Sequence, residues 1–184
     1  MRATASSLRM LPHIFFYLKK REELDKDLIK FSRGFTGLKT FVHVCTYQKV
    51  YRNLFYYRIG RHKSYFIKWL LPPEKSLSIN CPKIGKGAHF EHNFWSFLNA
   101  KNIGDNFKCL HSVTIGNGKG GEPSIGNNVS IYTGAGVFGG VNIGDNVTIS
   151  AGTIVVKDVP DNSLVIGNPA YIVKQNGVRV NIKL

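Results

Sequence analysis

A six-residue hydrophobic period predicts that the chain from Ile84 to about Val155 forms a β-solenoid. The clearest units pair isoleucine with a small residue: Ile84-Gly85, Ile103-Gly104, Ile115-Gly116, Ile125-Gly126, Ile143-Gly144 and Ile149-Ser150. Weaker units open at Phe90, Cys109, Ile131, Val137 and Val155. Gly-Asp-Asn and Gly-Asn-Asn corners separate the units, a combination typical of solenoids and of neither helices nor isolated strands. We expect about four coils of three units each.

The position four residues after each aliphatic residue gives a second, independent pattern. In a triangular coil this position also turns inwards and has room only for a smaller side chain. The residues found there are Ala88, Ala100, Val113, Val129, Ala135, Val141, Val147 and Thr153. Phe107 breaks the rule and indicates either a position near the end of the β-helix or a wider coil. The sequence therefore predicts a narrow, fully packed solenoid core.

The net charge of +14 is concentrated in the N-terminal part of the chain. Residues 1–75 contain 16 Lys and Arg against 5 acids, whereas residues 76–184 contain 9 against 6. Apolar residues at helical spacing predict helices over Phe15–Phe31, Leu38–Ile59 and Tyr65–Leu71. We therefore expect two domains, a basic helical region over 1–75 and the solenoid over 76–184, with a boundary near Pro72-Pro73.

Three roles are open for the basic helical region. It can present a solvated face, or it can lie near an anionic membrane surface or glycan. Nucleic acid is not expected, because no binding motif accompanies the charge. The three cysteines lack CxxC spacing and suit a reducing compartment. Because no segment reads as a secretory signal or a membrane span, we expect a cytoplasmic protein with possible peripheral contact at the inner membrane surface.

Four segments of the solenoid carry a family resemblance. They are Phe90-Glu91-His92, Cys109 to Gly116 (CLHSVTIG), Ile149 to Val155 (ISAGTIV) and Val165 to Ala170 (VIGNPA). The chain resembles the hexapeptide-repeat acyltransferases, most closely serine acetyltransferases and the O-acetyltransferases of capsular and surface polysaccharides. The resemblance implies a left-handed parallel β-helix behind an N-terminal helical region, acetyl-CoA as co-substrate, and a homotrimer with its sites between neighbouring prisms.

His92 stands where these acyltransferases, by resemblance, have their general base. An imidazole suits the removal of a hydroxyl proton near neutral pH, since its unperturbed pKa is about 6.5. Serine acetyltransferases orient this base with an upstream aspartate, but the matching stretch from Leu77 to Asn80 has no carboxylate. Glu91, Asn80 or a backbone carbonyl is left for that role. We assign His92 and Glu91 as candidate catalytic residues.

Further histidines extend this candidate site. His92 and His111 are 19 residues apart and occupy the same position of their units, so they are expected to lie on one face in successive coils, followed by Thr133 and Ala151. His111, His89 and Asn80 are candidate contacts of the acceptor substrate. A zinc site is not expected, because the His-x4-His pair of related zinc hydratases is missing.

A glycine-rich loop between Ile115 and Ile125 lengthens its coil to 22 residues. Such a loop can approach a phosphate or an amide closely. By resemblance it covers the cofactor groove, with pantetheine running along the coils past small residues and with lysines near the 3′-phosphate. The candidate cofactor-binding residues are Gly118, Lys119, Gly134, Ala135, Ala151, Gly152, Lys157 and Lys174.

The same loop bears on the acceptor. Serine acetyltransferases usually carry an Arg-His pair after its two glycines, suited to an amino-acid carboxylate, whereas here Glu122-Pro123 follow. This favours acetyl transfer to a hydroxyl of a sugar or glycan precursor. Two alternatives stay open: serine O-acetyltransfer in cysteine biosynthesis, and a non-catalytic trimeric scaffold that binds a partner or a membrane surface.

Overall fold

The computed structural model describes residues 2–92 and 94–184, with side chains from Leu8 onward. The chain divides into two compact units, residues 1–75 and residues 76–184. Each unit has its own regular architecture, helical in the first and a β-solenoid in the second.

The first unit contains five helices among its described residues. They are α1 Arg2–Lys19, α2 Arg21–Phe31, α3 Leu38–Tyr47, α4 Lys49–Ile59 and α5 Arg61–Tyr65. The predicted helix over Leu38–Ile59 is broken at Gln48, whose backbone is extended and whose side-chain amide donates to the Phe31 carbonyl. The other two predicted helices are also wrong in their bounds: Phe15–Phe31 is divided at Lys20 between α1 and α2, and α5 ends at Tyr65, where the helix over Tyr65–Leu71 was predicted to begin.

Stacked aromatic rings form the core of the helical unit. Tyr17 lies parallel to Phe41, with ring centroids 4.2 Å apart, and Phe41 packs against Phe55 at 5.4 Å. These three side chains are completely buried. Because buried aromatic pairs contribute beyond the area they remove from water, this cluster holds α1, α3 and α4 together.

A buried histidine gives the helical unit a pH-dependent stability. His13 is completely buried, its Nε2 lies 2.8 Å from the Tyr56 hydroxyl, and burial lowers its pKa from 6.5 to about 4. The unfolded chain therefore binds the proton more readily, and the stabilisation present above pH 6.5 is lost as the pH falls towards 4. We expect the free energy of unfolding to drop by about 3 kcal/mol over this range through His13 alone.

Urea unfolding at a series of pH values, followed by far-UV circular dichroism, measures this effect. The His13→Gln variant removes the titrating group, so its unfolding free energy is expected to vary less with pH than that of the wild type. Identical pH profiles for the two proteins would show that His13 is not responsible.

Among the described residues, no helix is both long enough and apolar enough to cross a membrane.

The second unit is a three-sided parallel β-solenoid. Face A contains β1 Leu77–Ile79, β3 Ser96–Leu98, β6 Thr114–Gly116, β9 Gly136–Phe138 and β12 Ile154–Val155. Face B contains β4 Asn102–Ile103, β7 Ser124–Ile125 and β10 Asn142–Ile143, with bridges to Ile84 and Val159. Face C contains β2 His89–Phe90, β5 Lys108–Cys109, β8 Ser130–Ile131, β11 Thr148–Ile149 and β13 Ser163–Ile166. The antiparallel strands β14 Tyr171–Gln175 and β15 Val178–Lys183 extend face C.

The inward residues follow the predicted pattern. Every aliphatic residue that opens a unit is buried, and so are all eight of the smaller residues four places later. Phe107 is also completely buried and meets Phe90 edge-on at 6.4 Å, so this inward position accommodates a large side chain. The solenoid has about five coils rather than the predicted four, because β1 precedes Ile84 and β13 follows Val155.

The corner between faces B and C is held by two side-chain ladders. Side-chain amides bond from coil to coil at 2.9–3.0 Å along Asn106, Asn128, Asn146, Asn162 and Asn176. These asparagines have φ between 48° and 57°, a conformation that asparagine tolerates better than most residues. Beside them, Asp105, Asn127, Asp145 and Asp161 each accept a bond from a backbone N–H of the preceding coil. The repeated Gly-Asp-Asn motif thus has a structural role.

Candidate functional site

His92 lies at the corner where face C turns into face A, which we call the CA corner. Among the described residues, this corner comprises 91–92 and 94–95, then 110–113, 132–135 and 150–153 in the successive coils. The His92 side chain is exposed, and its φ of 46° places the backbone in the left-handed region. Ser112, at the same corner of the next coil, has a φ of 58°, so this conformation belongs to the turn at the corner. An exposed imidazole at such a corner is accessible to a substrate in the groove outside the prism.

The CA corner of the first coil is longer than the sequence repeat predicts. Phe90 pairs with Cys109, 19 residues later, but Leu98 pairs with Ile115, only 17 residues later. Two extra residues therefore lie between faces C and A in this coil. The Phe94 ring stacks on His111, with centroids 5.1 Å apart and an interplanar angle of 13°. The change of step from 19 to 17 is the sequence signal that could have revealed this longer corner.

Two exposed aromatic residues beside His92 were not among the predicted site residues. Trp95 is 77% exposed with a φ of 56°, and Phe94 is 44% exposed. On the inner side of Phe94, Nδ1 of His111 is buried and has no hydrogen-bond partner among residues 2–92 and 94–184. The corner therefore combines imidazoles with an aromatic surface that a substrate can contact.

Glu91 has a cationic partner in the next coil. Its Oε2 lies 2.6 Å from Nζ of Lys108, and both side chains are about one-third exposed. The hydrogen bond from Lys108 lowers the pKa of the Glu91 carboxyl, and the nearby His89 and His92 act in the same direction. Glu91 is thus an ionised carboxylate beside the candidate base, and its role in orienting His92 stays a prediction.

His89 and Asn80, the other two predicted contacts of the acceptor substrate, lie apart from each other. His89 is half-buried on β2, with its side chain on the outer surface of face C, because its neighbour Phe90 points inwards. Asn80 is exposed directly after β1, at the corner where face A turns into face B, the AB corner. A single prism therefore does not bring Asn80 to the CA corner with His92.

The glycine-rich loop forms a small hairpin at the AB corner. Gly118 and Gly121 exchange two backbone hydrogen bonds of 3.1 Å, which leaves Lys119 and Gly120 at the tip. The hairpin rests on the next coil, where the Gly140 N–H donates to the Lys119 carbonyl at 3.0 Å. Lys119 is exposed. Gly118 and Lys119 thus flank one edge of face A, and His92 lies at the other.

The predicted cofactor residues divide between the two edges of face A. Gly134, Ala151 and Gly152 are exposed at the CA corner, and a Cβ on either glycine would meet nothing within 4 Å. Ala135, by contrast, is buried inside the prism, so its side chain is not on the surface where a cofactor would lie. Lys157 is exposed beyond β12 on the AB side, whereas Lys174 is on β14 of face C, paired with Leu164.

Gly140 is a residue of this region that the sequence did not single out. A Cβ on Gly140 would overlap the carbonyl oxygen of Gly120. Because this oxygen is a backbone atom, the overlap can be relieved only if the backbone moves. We expect Gly140→Ala to displace the hairpin and to cost about 1–3 kcal/mol of stability. Hydrogen exchange of the Gly118–Gly121 amides measures the displacement. Gly116→Ala is the matched control, because its Cβ would meet the side chains of Phe138 and Thr114 at ordinary distances of 3.5 Å and 3.9 Å. Unchanged exchange in Gly140→Ala would contradict the packing.

Within the described part of the chain, no group of three His, Cys, Asp or Glu side chains is placed to hold a metal ion.

The solenoid has the fold of left-handed β-helical proteins built from hexapeptide repeats, and the chain resembles the acyltransferases of this type. No family model matches the chain. The chain is 43% identical over 104 residues to serine acetyltransferase from Staphylococcus aureus, an alignment that covers 53% of the chain and 48% of the relative. The serine acetyltransferase of Bacillus pumilus is 44% identical over 84 residues, covering 43% of the chain and 38% of that protein.

Solved structures of serine acetyltransferases match the fold of the chain. The structure of Neisseria gonorrhoeae serine acetyltransferase matches 89% of the chain and 67% of its own length, with a TM-score of 0.68 and 23% identity. Brucella abortus serine acetyltransferase in complex with coenzyme A matches with a TM-score of 0.64 and 24% identity, covering 89% of the chain and 72% of that chain. The chain is therefore a left-handed parallel β-helix with an N-terminal helical region, and the predicted resemblance is confirmed. It spans about half the length of the curated relatives it matches.

Proposed function

We propose that the protein is an acetyl-CoA-dependent O-acetyltransferase and that His92 is its general base. The observation that carries the proposal is an exposed imidazole at the corner of a hexapeptide-type β-helix, beside surface glycines that leave open space. The sequence identity with serine acetyltransferases supports it.

The proposed reaction needs one base and one oxyanion site. His92 takes the proton of the acceptor hydroxyl as its oxygen attacks the carbonyl carbon of the thioester. Backbone N–H groups of the coils stabilise the tetrahedral oxyanion. When this intermediate collapses, the C–S bond breaks, and the imidazolium returns the proton to the departing thiolate of coenzyme A. The ester product and free thiol leave the base neutral for the next cycle.

We propose that acetyl-CoA binds at the surface around face A. At the CA corner, Gly134, Ala151 and Gly152 leave space for a pantetheine chain, and Lys119 and Lys157 offer positive charge on the AB side. The complex of the Brucella abortus relative with coenzyme A supports this assignment. Acetyl-CoA supplies the acyl group as a thioester, and the residues of this chain bind it and move the proton.

The separation of the two edges supports a site shared between copies. His92 is at the CA corner, whereas Asn80 and the Lys119 hairpin are at the AB corner of the same prism. In a closed three-fold ring, the CA corner of one protomer can face the AB corner of its neighbour. We therefore propose a homotrimer. The predicted membrane contact is not needed for catalysis, and cytoplasmic localisation remains a proposal.

The acceptor has two candidates. The curated relatives that match the chain at 43% and 44% identity are serine acetyltransferases, which favours L-serine over the sugar hydroxyl that the sequence alone suggested. A specific observation favours a sugar as the second candidate: the exposed rings of Phe94 and Trp95 lie in the same corner as His92, and Glu122 follows the loop glycines where an arginine would bind a carboxylate.

Release of thiol from acetyl-CoA, measured with L-serine and with a panel of sugars and nucleotide sugars, tests the proposal. Release that depends on L-serine supports the first candidate, and release only with a sugar supports the second. If acetyl-CoA binds but no acceptor stimulates release, both acceptors are excluded. If acetyl-CoA does not bind, the non-catalytic scaffold becomes the better interpretation.

A further inference from the structure

The segment from Arg61 to Leu71 exposes an aromatic cluster on the helical unit. Tyr65, Phe66 and Trp69 are 66%, 72% and 73% exposed. The Tyr65 ring meets Phe66 edge-on at 5.7 Å, and the indole N–H of Trp69 donates to the Phe66 carbonyl at 2.9 Å. The polar group of the indole is thus bonded within the segment, and its ring is left facing solvent. We call this surface the aromatic patch.

The aromatic patch is fixed to the rest of the helical unit. Ser64 and Ile67, on the opposite side of the segment, are buried, and the Lys68 N–H donates to the Ser64 carbonyl at 2.9 Å. At the end of the segment, Arg52 donates to the carbonyl of Pro72 at 2.8 Å. The three rings are therefore presented by an ordered turn, and ordering them on a partner costs little conformational entropy.

Basic side chains surround the aromatic patch. Arg61, Lys63 and Lys68 are exposed, and the Lys68 ammonium lies 5.4 Å from the centroid of the Tyr65 ring. From Leu28 to Pro73 the sequence contains nine Lys and Arg residues and no Asp or Glu. Upstream, Glu23, Asp25 and Asp27 already form ion pairs within the helical unit. The surroundings of the patch are therefore cationic.

We propose that the aromatic patch docks the protein on an anionic phospholipid surface. Aromatic rings insert at the boundary between headgroups and acyl chains, and adjacent Lys and Arg bind anionic headgroups. A symmetric contact between two copies through the patch is disfavoured, because it would place Arg61, Lys63 and Lys68 against the same charges of the partner. This inference is independent of the acetyl-transfer proposal.

Co-sedimentation of the full chain with vesicles tests the proposal. We expect binding to vesicles of phosphatidylcholine mixed with phosphatidylglycerol and much weaker binding to phosphatidylcholine alone. The triple variant Arg61→Gln, Lys63→Gln, Lys68→Gln should bind the mixed vesicles about a hundredfold more weakly. Lys26→Gln, Lys30→Gln, Arg33→Gln removes equal charge from other exposed positions and should lose much less. Equal losses would overturn the proposal in favour of a diffuse electrostatic attraction.

The apolar contribution is tested separately. Phe66→Ser with Trp69→Ser should lower vesicle binding at least about tenfold, whereas Tyr47→Ser, equally exposed at 73%, should not. The chain has two tryptophans, so Trp95→Phe leaves Trp69 as the single reporter. When the mixed vesicles are added, the fluorescence of Trp69 should shift to the blue and should be quenched by brominated lipid.

Three results would overturn the proposal. The first is that the wild type does not bind the mixed vesicles. The second is that Phe66→Ser with Trp69→Ser changes the mass in light scattering while vesicle binding is kept, which would make the patch a contact between copies. The third is binding of a single-stranded oligonucleotide through Trp69 without vesicle binding. Acetyl transfer, measured in parallel, should be unchanged in the variants of Arg61, Lys63 and Lys68 and in those of Phe66 and Trp69.

Discussion

Replacing His92 by Gln is expected to lower kcat by about 10²- to 10⁴-fold, the usual contribution of a general base. Gln keeps the size and polarity of the side chain but cannot accept a proton from a hydroxyl near neutral pH. Because His92 is exposed at a corner and is not part of the core, the fold should be unaffected. The Kd for acetyl-CoA should also be unchanged, since the change affects proton transfer rather than cofactor binding.

Steady-state thiol release and calorimetric titration with acetyl-CoA measure the two quantities. His43→Gln is the matched control, because it makes the same exchange at an exposed position of the helical unit and should retain wild-type kcat. Turnover within about threefold of the wild type in His92→Gln would show that another group is the base. A large loss of acetyl-CoA affinity would instead assign His92 to cofactor binding.

The second large effect is expected at the buried ion pair between α2 and α4. Nε of Arg58 lies 2.7 Å from one oxygen of Asp27, a second guanidinium nitrogen lies 3.2 Å from the other oxygen, and both side chains are almost completely buried. Arg58→Met should lower the free energy of unfolding by about 3–5 kcal/mol, because it leaves the Asp27 carboxylate buried without its cation. Urea unfolding followed by helical circular dichroism measures the loss.

The double variant Asp27→Leu with Arg58→Met separates the energy of the ion pair from the cost of leaving a single charge buried. It should be more stable than Arg58→Met, because neither charge of the pair remains in the core. Arg21→Met, which breaks the exposed 3.3 Å pair with Asp25 on the same helix, should cost less than about 1 kcal/mol. A cost for Arg58→Met as small as that for Arg21→Met would contradict the importance of the buried pair.

The solenoid could be predicted from the sequence because its core repeats. Each inward position imposes the same demand on size and polarity in every coil, so residues such as Val129 and Val147 are recognised by spacing alone. The helical unit has no such repeat. The break at Gln48 depends on a tertiary hydrogen bond to Phe31, and spacing within one helix does not report such a contact.

The candidate site was predictable only in part. The repeat predicted that His92 and His111 lie one above the other in successive coils, which is wrong: the two extra residues shift the register, and Phe94 rather than His92 stacks on His111. The exposure of Trp95 depends on how this longer corner is folded, and the ion pair of Glu91 with Lys108 joins two coils. Features that deviate from the period or connect separate coils require the structure.

The most direct test of the account is an experimental structure of the protein with coenzyme A bound. We predict that the pantetheine chain lies along the CA corner beside Gly134 and Gly152 and that the thiol of coenzyme A lies next to His92. A cofactor bound away from this corner, with its thiol out of reach of His92, would contradict the proposed site and mechanism.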